Sequence, residues 1–187
     1  PLPARFHAPE DAEAQLRQAV DFHSTTFGRA PAGLWPSEGS VCPELLPLVH
    51  STGLRWLATD EGILARSMEL EGRPWNRQGS LYRFYRAGLS GQELTMLFRD
   101  REISDAFGFV YHKTTPESAA DDVLRRLRNI IRETAQEEIV IGVILDGENP
   151  WEHYHDGGER FLSLLYSTFS QRTLDQEHSV AVQSTTV

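Results

Sequence analysis

A chain of 187 residues, 40% apolar and 24% charged, has enough mass for one globular core, complete or part of a larger one. Its net charge of -9, with Lys113 as the single lysine, argues against a nucleic-acid partner, whose binding relies on clustered Lys/Arg, and suits an uncharged ligand better. No apolar run approaches the roughly 20 residues of a membrane span, the N-terminus lacks the basic-then-apolar order of a signal peptide, and the lone Cys42 excludes an internal disulfide framework, so a cytoplasmic protein without a membrane partner is expected.

The chain begins at Pro1 rather than at a methionine, which fits a processed protein or an internal piece of a longer one. From Pro9 to about Phe27, Ala12, Leu16, Ala19, Val20 and His23 recur at helical spacing; Pro9, Glu10 and Asp11 suit the helix start and Gly28 its end. A short strand, Ala32 to Trp35, leads through Pro36 to Glu38. Pro43 then opens a helix whose Leu45, Leu46 and Val49 face inward until Gly53. Leu54 to Ala58 reads as the next strand and stops at a polar cluster, Thr59 to Gly62.

The Gly, Pro, Asn and Arg content from Glu69 to Ser80 predicts a long loop, followed by strands at Leu81 to Tyr85 and Leu94 to Phe98 with a turn at Gly88 to Gly91. Arg99 to Asp105 is another polar cluster after a strand. Pro116 to Gln136 is the clearest helix, with Ala120, Val123, Leu124, Leu127, Ile130 and Ile131 as its stripe. Ile139 to Leu145 is an apolar, β-branched run that predicts a strand buried on both faces of a parallel sheet and delivers Asp146 at its end. Gly157 to about Phe169 predicts the last helix, carrying Phe161, Leu164, Leu165 and Phe169 on one face, and little fixed structure is expected from about Glu177 onward. Strands alternating with helices imply right-handed βαβ units in an α/β fold, with too few strands for a closed barrel of about eight.

Two acids stand out because each follows an apolar run and sits beside a tryptophan and backbone-bending residues: Glu38 after Trp35 and Pro36, and Asp146 ahead of Gly147, Glu148, Pro150 and Trp151. A sugar ring stacks well on indole, and a rigid turn fixes a carboxylate, so both segments suit a sugar-cleaving site at the strand ends of an α/β barrel. Against this stand the plain alternatives of a helix cap or solvated loop acid for Glu38, and an Asp-Gly turn for Asp146. Glu148 and Glu152 are rival acids in the same loop. Asp60 and Glu61 are supporting residues at another strand end. Arg99, Asp100 and Asp105 either orient sugar hydroxyls or form a structural ion-pair network. His153 and His155 flank Tyr154 at i, i+2 spacing without a third ligand, which argues for loop histidines rather than a zinc site. The chain holds no phosphate-cradling glycine loop, no GxSxG elbow and no dinucleotide fingerprint, so no cofactor is expected.

Four segments taken in order, Gly-Leu-Trp-Pro-Ser-Glu-Gly-Ser-Val from Gly33, Trp-Leu-Ala-Thr-Asp-Glu from Trp56, Phe-Arg-Asp-Arg-Glu-Ile-Ser-Asp-Ala-Phe-Gly-Phe from Phe98, and Ile-Leu-Asp-Gly-Glu-Asn-Pro-Trp-Glu from Ile144, resemble glycoside hydrolase family 57. The resemblance covers about Asp11 to Ser170. It implies part of a (β/α)7-type barrel over 1–176, a tail over 177–187, and a retaining enzyme that hydrolyses or transfers α-glucans, the expected partner. The family's nucleophile maps onto Glu38 and its acid/base onto Asp146. Substrate contacts are expected at Trp35, Asp60, Glu61, Arg99, Asp100, Glu148 and Trp151. The family's N-terminal His-Gln-Pro motif and its late barrel segment have no counterpart here, which implies that the remainder of the catalytic domain lies outside this chain. Two other functions compete: a metal-dependent polysaccharide deacetylase on a related barrel, which needs an Asp and two His around a metal, and a non-catalytic glucan-binding fragment.

Overall fold

The computed structural model describes residues 8–134, 138–147, 150–170, 173–175 and 180–181. They fall into two compact units: Pro1–Pro74 with Arg83–Arg99, and Trp75–Tyr82 with Asp100–Thr186.

In the first unit, helix α1 (Pro9–Phe27) has Pro9 at its start, Glu10 and Asp11 in its first turn, and Gly28 closing it at φ 71 by donating its N–H to the Ser24 carbonyl. Its stripe is less buried than its spacing predicts: Ala12 alone is buried, while Phe22 and Phe27 stand exposed. Strand β1 (Gly33–Leu34) pairs in parallel with β2 (Trp56–Asp60) through helix α2 (Leu45–Ser51), whose Leu45 and Val49 are buried. Helix α3 (Glu61–Leu70) follows β2 directly. It lies mostly before the predicted long loop, which it enters only at Glu69 and Leu70, and its buried Leu64 and Met68, four residues apart, supply the inward face. The hairpin of β3 (Tyr85–Ala87) and β4 (Leu94–Arg99) completes a four-stranded sheet in the order β1-β2-β4-β3, with β4 parallel to β2 and β3 antiparallel to β4.

Strand β3 is shorter and later than the expected Leu81 to Tyr85. Leu81 instead closes helix α4 (Arg77–Ser80), which Asn76 caps by accepting the Gly79 N–H. A local Asn-x-x-Gly capping signal outweighs the β propensity of the residues that follow it. The core of the first unit is built from Leu57 and Ala58 of β2, Leu94, Met96, Leu97 and Phe98 of β4, and the α2 and α3 side chains already named.

The second unit holds α4, helix α5 (Arg101–Phe109), helix α6 (Pro116–Glu133) and helix α7 (Glu159–Ser170), with the short antiparallel pair β5 (Thr173–Asp175) and β6 (Val180–Ala181). Helix α6 is capped by Thr115 and buries Ala119, Ala120, Val123, Leu124, Leu127 and Ile130. It ends before the predicted Gln136, which lies with its neighbours outside the described residues. Phe107, Tyr111, Tyr154 and Phe161 pack as one aromatic cluster, with ring centroids 5.1 Å apart for Phe107 and Phe161 and 5.9 Å for Tyr154 and Phe161.

The predicted strand Ile139 to Leu145 departs from its reading. It is extended, with a single bridge at Gly142, and Val143 is 39% exposed. Val140 donates to the Tyr82 carbonyl (3.1 Å), Gly142 accepts from Asp100 (2.8 Å), and Ile144 donates to Ser104 (3.1 Å). Because backbone polar groups alternate in direction along an extended chain, these three bonds all lie on one edge. An apolar run signals the capacity for burial on both faces, and burial itself needs neighbours on both sides.

Candidate active site

Around Glu38 the geometry is set by its own backbone. Ser37–Gly39 forms one turn of 3-10 helix in which Gly39 donates to Pro36 (2.9 Å) and Ser40 to Ser37 (3.1 Å). Within it Glu38 has φ 58 and ψ 20, the one non-glycine residue with positive φ among the described residues. For an L-residue this left-handed conformation costs about 1–2 kcal/mol, so the surrounding structure must enforce it. Two contacts do so. The hydroxyl of the fully buried Thr59 in β2 donates to the Gly39 carbonyl at 2.5 Å, and the Trp35 indole lies so close to Gly39 that a Cβ there would stand 2.6 Å from it. The Glu38 side chain is exposed, and Trp35 is half-buried beside it in sequence.

Asp60 and Arg99 are brought together. They are register partners at the ends of β2 and β4, and Arg99 Nε donates to Asp60 Oδ2 at 2.9 Å while Asp60 Oδ1 accepts the Gly62 N–H at 2.8 Å, capping α3. Both side chains are largely buried. Glu61 sits in the first turn of α3, where its charge complements the helix N-terminus.

In the second unit Asp100 is 1% exposed and accepts from Arg77 (2.7 Å), the Tyr82 hydroxyl (3.0 Å) and the Ile103 N–H (3.1 Å). Of the two readings open for Asp100, this geometry is that of the internal network. A buried carboxylate needs such donors, and here they cap α5 and hold α4. Asp146 is half-buried at the end of the extended segment. Beyond it, the Trp151 indole packs against Gly158, where a Cβ would meet it at 2.6 Å, and against the Tyr154 ring at 5.6 Å. Tyr154 donates its hydroxyl to the Phe107 carbonyl at 2.7 Å, and burial pushes its phenol up to about 12, so it stays a neutral donor at physiological pH. The expected substrate contact Glu148 lies outside the described residues.

Sequence reasoning missed Thr59, Ser104, Arg77 and Tyr82. The last two fall in a stretch read as loop and strand, and Thr59 and Ser104 show only as members of the polar clusters that follow strands, with nothing to single them out. Among the described residues no three His, Cys, Asp or Glu side chains come together to hold a metal ion, and no helix is long and apolar enough to cross a membrane. The His153 ring lies tilted against His112 with centroids 5.3 Å apart, while His155 is exposed.

The fold is similar to that of the 4-alpha-glucanotransferase from Thermococcus litoralis, with a TM-score of 0.64 at 16% sequence identity, over 90% of this chain and 24% of that one. The chain thus spans about a quarter of the length of that solved structure. No curated protein matches the sequence. The model of glycosyl hydrolase family 57 matches residues 1–183, nearly the whole chain, and on that match the chain belongs to glycosyl hydrolase family 57.

Proposed function

We propose that this chain supplies two strand-end segments of an incomplete (β/α)7-type barrel that cleaves α-glucans with retention, Glu38 acting as nucleophile and Asp146 as acid/base. The observation that supports the reading is the conformation of Glu38: the only non-glycine residue with positive φ among the described residues is the acid that the resemblance maps to the nucleophile, and Thr59 and Trp35 hold the adjoining Gly39. Strain held in place by a buried hydroxyl and an indole is a way to present a carboxylate at a fixed angle.

In the first step Asp146 gives its proton to the glycosidic oxygen as the anomeric C–O bond breaks and the Glu38 oxygen forms a bond to the anomeric carbon. In the second step Asp146 takes a proton from water or an acceptor hydroxyl, which displaces Glu38. Retention by this route sets the two carboxyl groups about 5–5.5 Å apart in the working enzyme. Trp35 and Trp151 are suited to stack on sugar faces, because each is held by its glycine, Gly39 or Gly158. Asp60 and Arg99 shape the strand ends as a pair. The test is turnover of soluble α-glucan by the full-length protein: Glu38→Gln and Asp146→Asn should each lower kcat by at least about 1,000-fold. Near-normal rates in either variant remove that residue from its role.

A further inference from the structure

Ser104 is fully buried in α5 among Ile103, Ala106 and Phe107, a place where alanine would fill nearly the same space. A hydroxyl persists in such a place when a partner needs it. Its partner is the backbone of the segment that ends at Asp146: the Ile144 N–H donates to Ser104 Oγ at 3.1 Å. One turn earlier in the same helix, the Asp100 N–H donates to the Gly142 carbonyl at 2.8 Å, and the Asp100 carboxylate is itself locked by Arg77, Tyr82 and the Ile103 N–H. One turn later, the Phe107 carbonyl accepts the Tyr154 hydroxyl at 2.7 Å. One side of α5 therefore grips the chain both before and after Asp146, at Gly142, Ile144 and Tyr154. The grip at Ile144 depends on a side chain, so it can be removed without changing the backbone.

We infer that Ser104 is a positioning residue for the acid/base, acting through the Ile144 N–H to fix the direction in which Asp146 leaves its strand. This rests on the role proposed for Asp146. Residues 144 and 146 lie only two apart, so a constraint at the first is passed to the second with little slack. Proton donation depends on sub-ångström placement, and misplacing a reacting group by about 1 Å costs on the order of 100-fold in rate.

The inference is tested with kcat/KM, which reports formation of the glycosyl-enzyme, for two substrates of the full-length protein. One is an unactivated maltooligosaccharide, whose leaving group must be protonated. The other is 2,4-dinitrophenyl α-maltoside, whose leaving group departs as the anion. Ser104→Ala should lose about 100-fold on the first and less than about threefold on the second, with Asp146→Asn showing the same selectivity more strongly. Ser104→Cys, close in size and a weaker acceptor, should fall between wild type and Ser104→Ala, and carries the comparison if the alanine variant does not fold. Equal losses on both substrates, or none on either, overturn the inference. If Asp146→Asn shows the selectivity and neither Ser104 variant does, the inference alone fails. If Asp146→Asn lacks it too, the role of Asp146 fails first.

Discussion

Glu38 carries a cost that its neighbours sustain. With φ 58 it sits where glycine is at ease, yet the residue there is a glutamate. Glu38→Gly should therefore raise stability, by about 1 kcal/mol at most, while abolishing turnover. Thermal unfolding of the variant beside wild type checks this, and a lowered midpoint would count against the strain. Gly33 is the opposite case. A Cβ at Gly33 would fall 1.9 Å from the Trp56 indole of the neighbouring strand, so Gly33→Ala must displace that indole, and a loss of about 1–3 kcal/mol is expected in denaturant unfolding. The two acids stand out in the sequence because tryptophan, glycine and proline beside an acid are a local signal, and their roles remain proposals. Thr59 and Ser104 were not legible, because their value lies in partners 20 and 40 residues away.

At the scale of elements, the long periodic helices α1, α6 and α7 were readable, as were the parallel strands β2 and β4, since each is a repeating pattern of apolar positions. Helix α2 was readable too, whereas α3, α4 and α5 were not. α3 and α5 begin at Asp60 and Asp100, acids that the sequence presents as strand-end polar clusters, and both turn out to be helix caps that accept backbone N–H groups. Element stability also has a charge signature. Asp122 of α6 accepts from Tyr111, Arg126 and Arg125. Burial pushes the Asp122 carboxyl up, but the hydrogen bonds from Arg126, Tyr111 and Arg125 outweigh it and hold the group below the usual range. A carboxyl depressed in the folded state contributes stability that is fully present above its unfolded value near 3.9 and is lost as pH falls through the folded value. Asp122→Asn should therefore lower the unfolding midpoint at pH 7, and the gap to wild type should narrow below about pH 4. A gap that is constant with pH would place the effect elsewhere.

For the whole molecule, family membership rests on a match along nearly the full chain, while the shared fold rests on a neighbour four times as long. Within the first unit, the parallel order of β1, β2 and β4 is that of an α/β sheet or part of a barrel. In such folds functional groups collect at strand ends; in the first unit Glu38 follows β1 and the Asp60–Arg99 pair closes β2 and β4, and in the second unit, taken by itself, Asp146 follows the extended run. The most direct test of the central claim is to trap the intermediate. The full-length protein is incubated with a 5-fluoro-α-maltosyl fluoride, digested, and its peptides weighed. One glycosyl adduct is expected, on Glu38, and none in Glu38→Gln. An adduct on another carboxylate would contradict the claim.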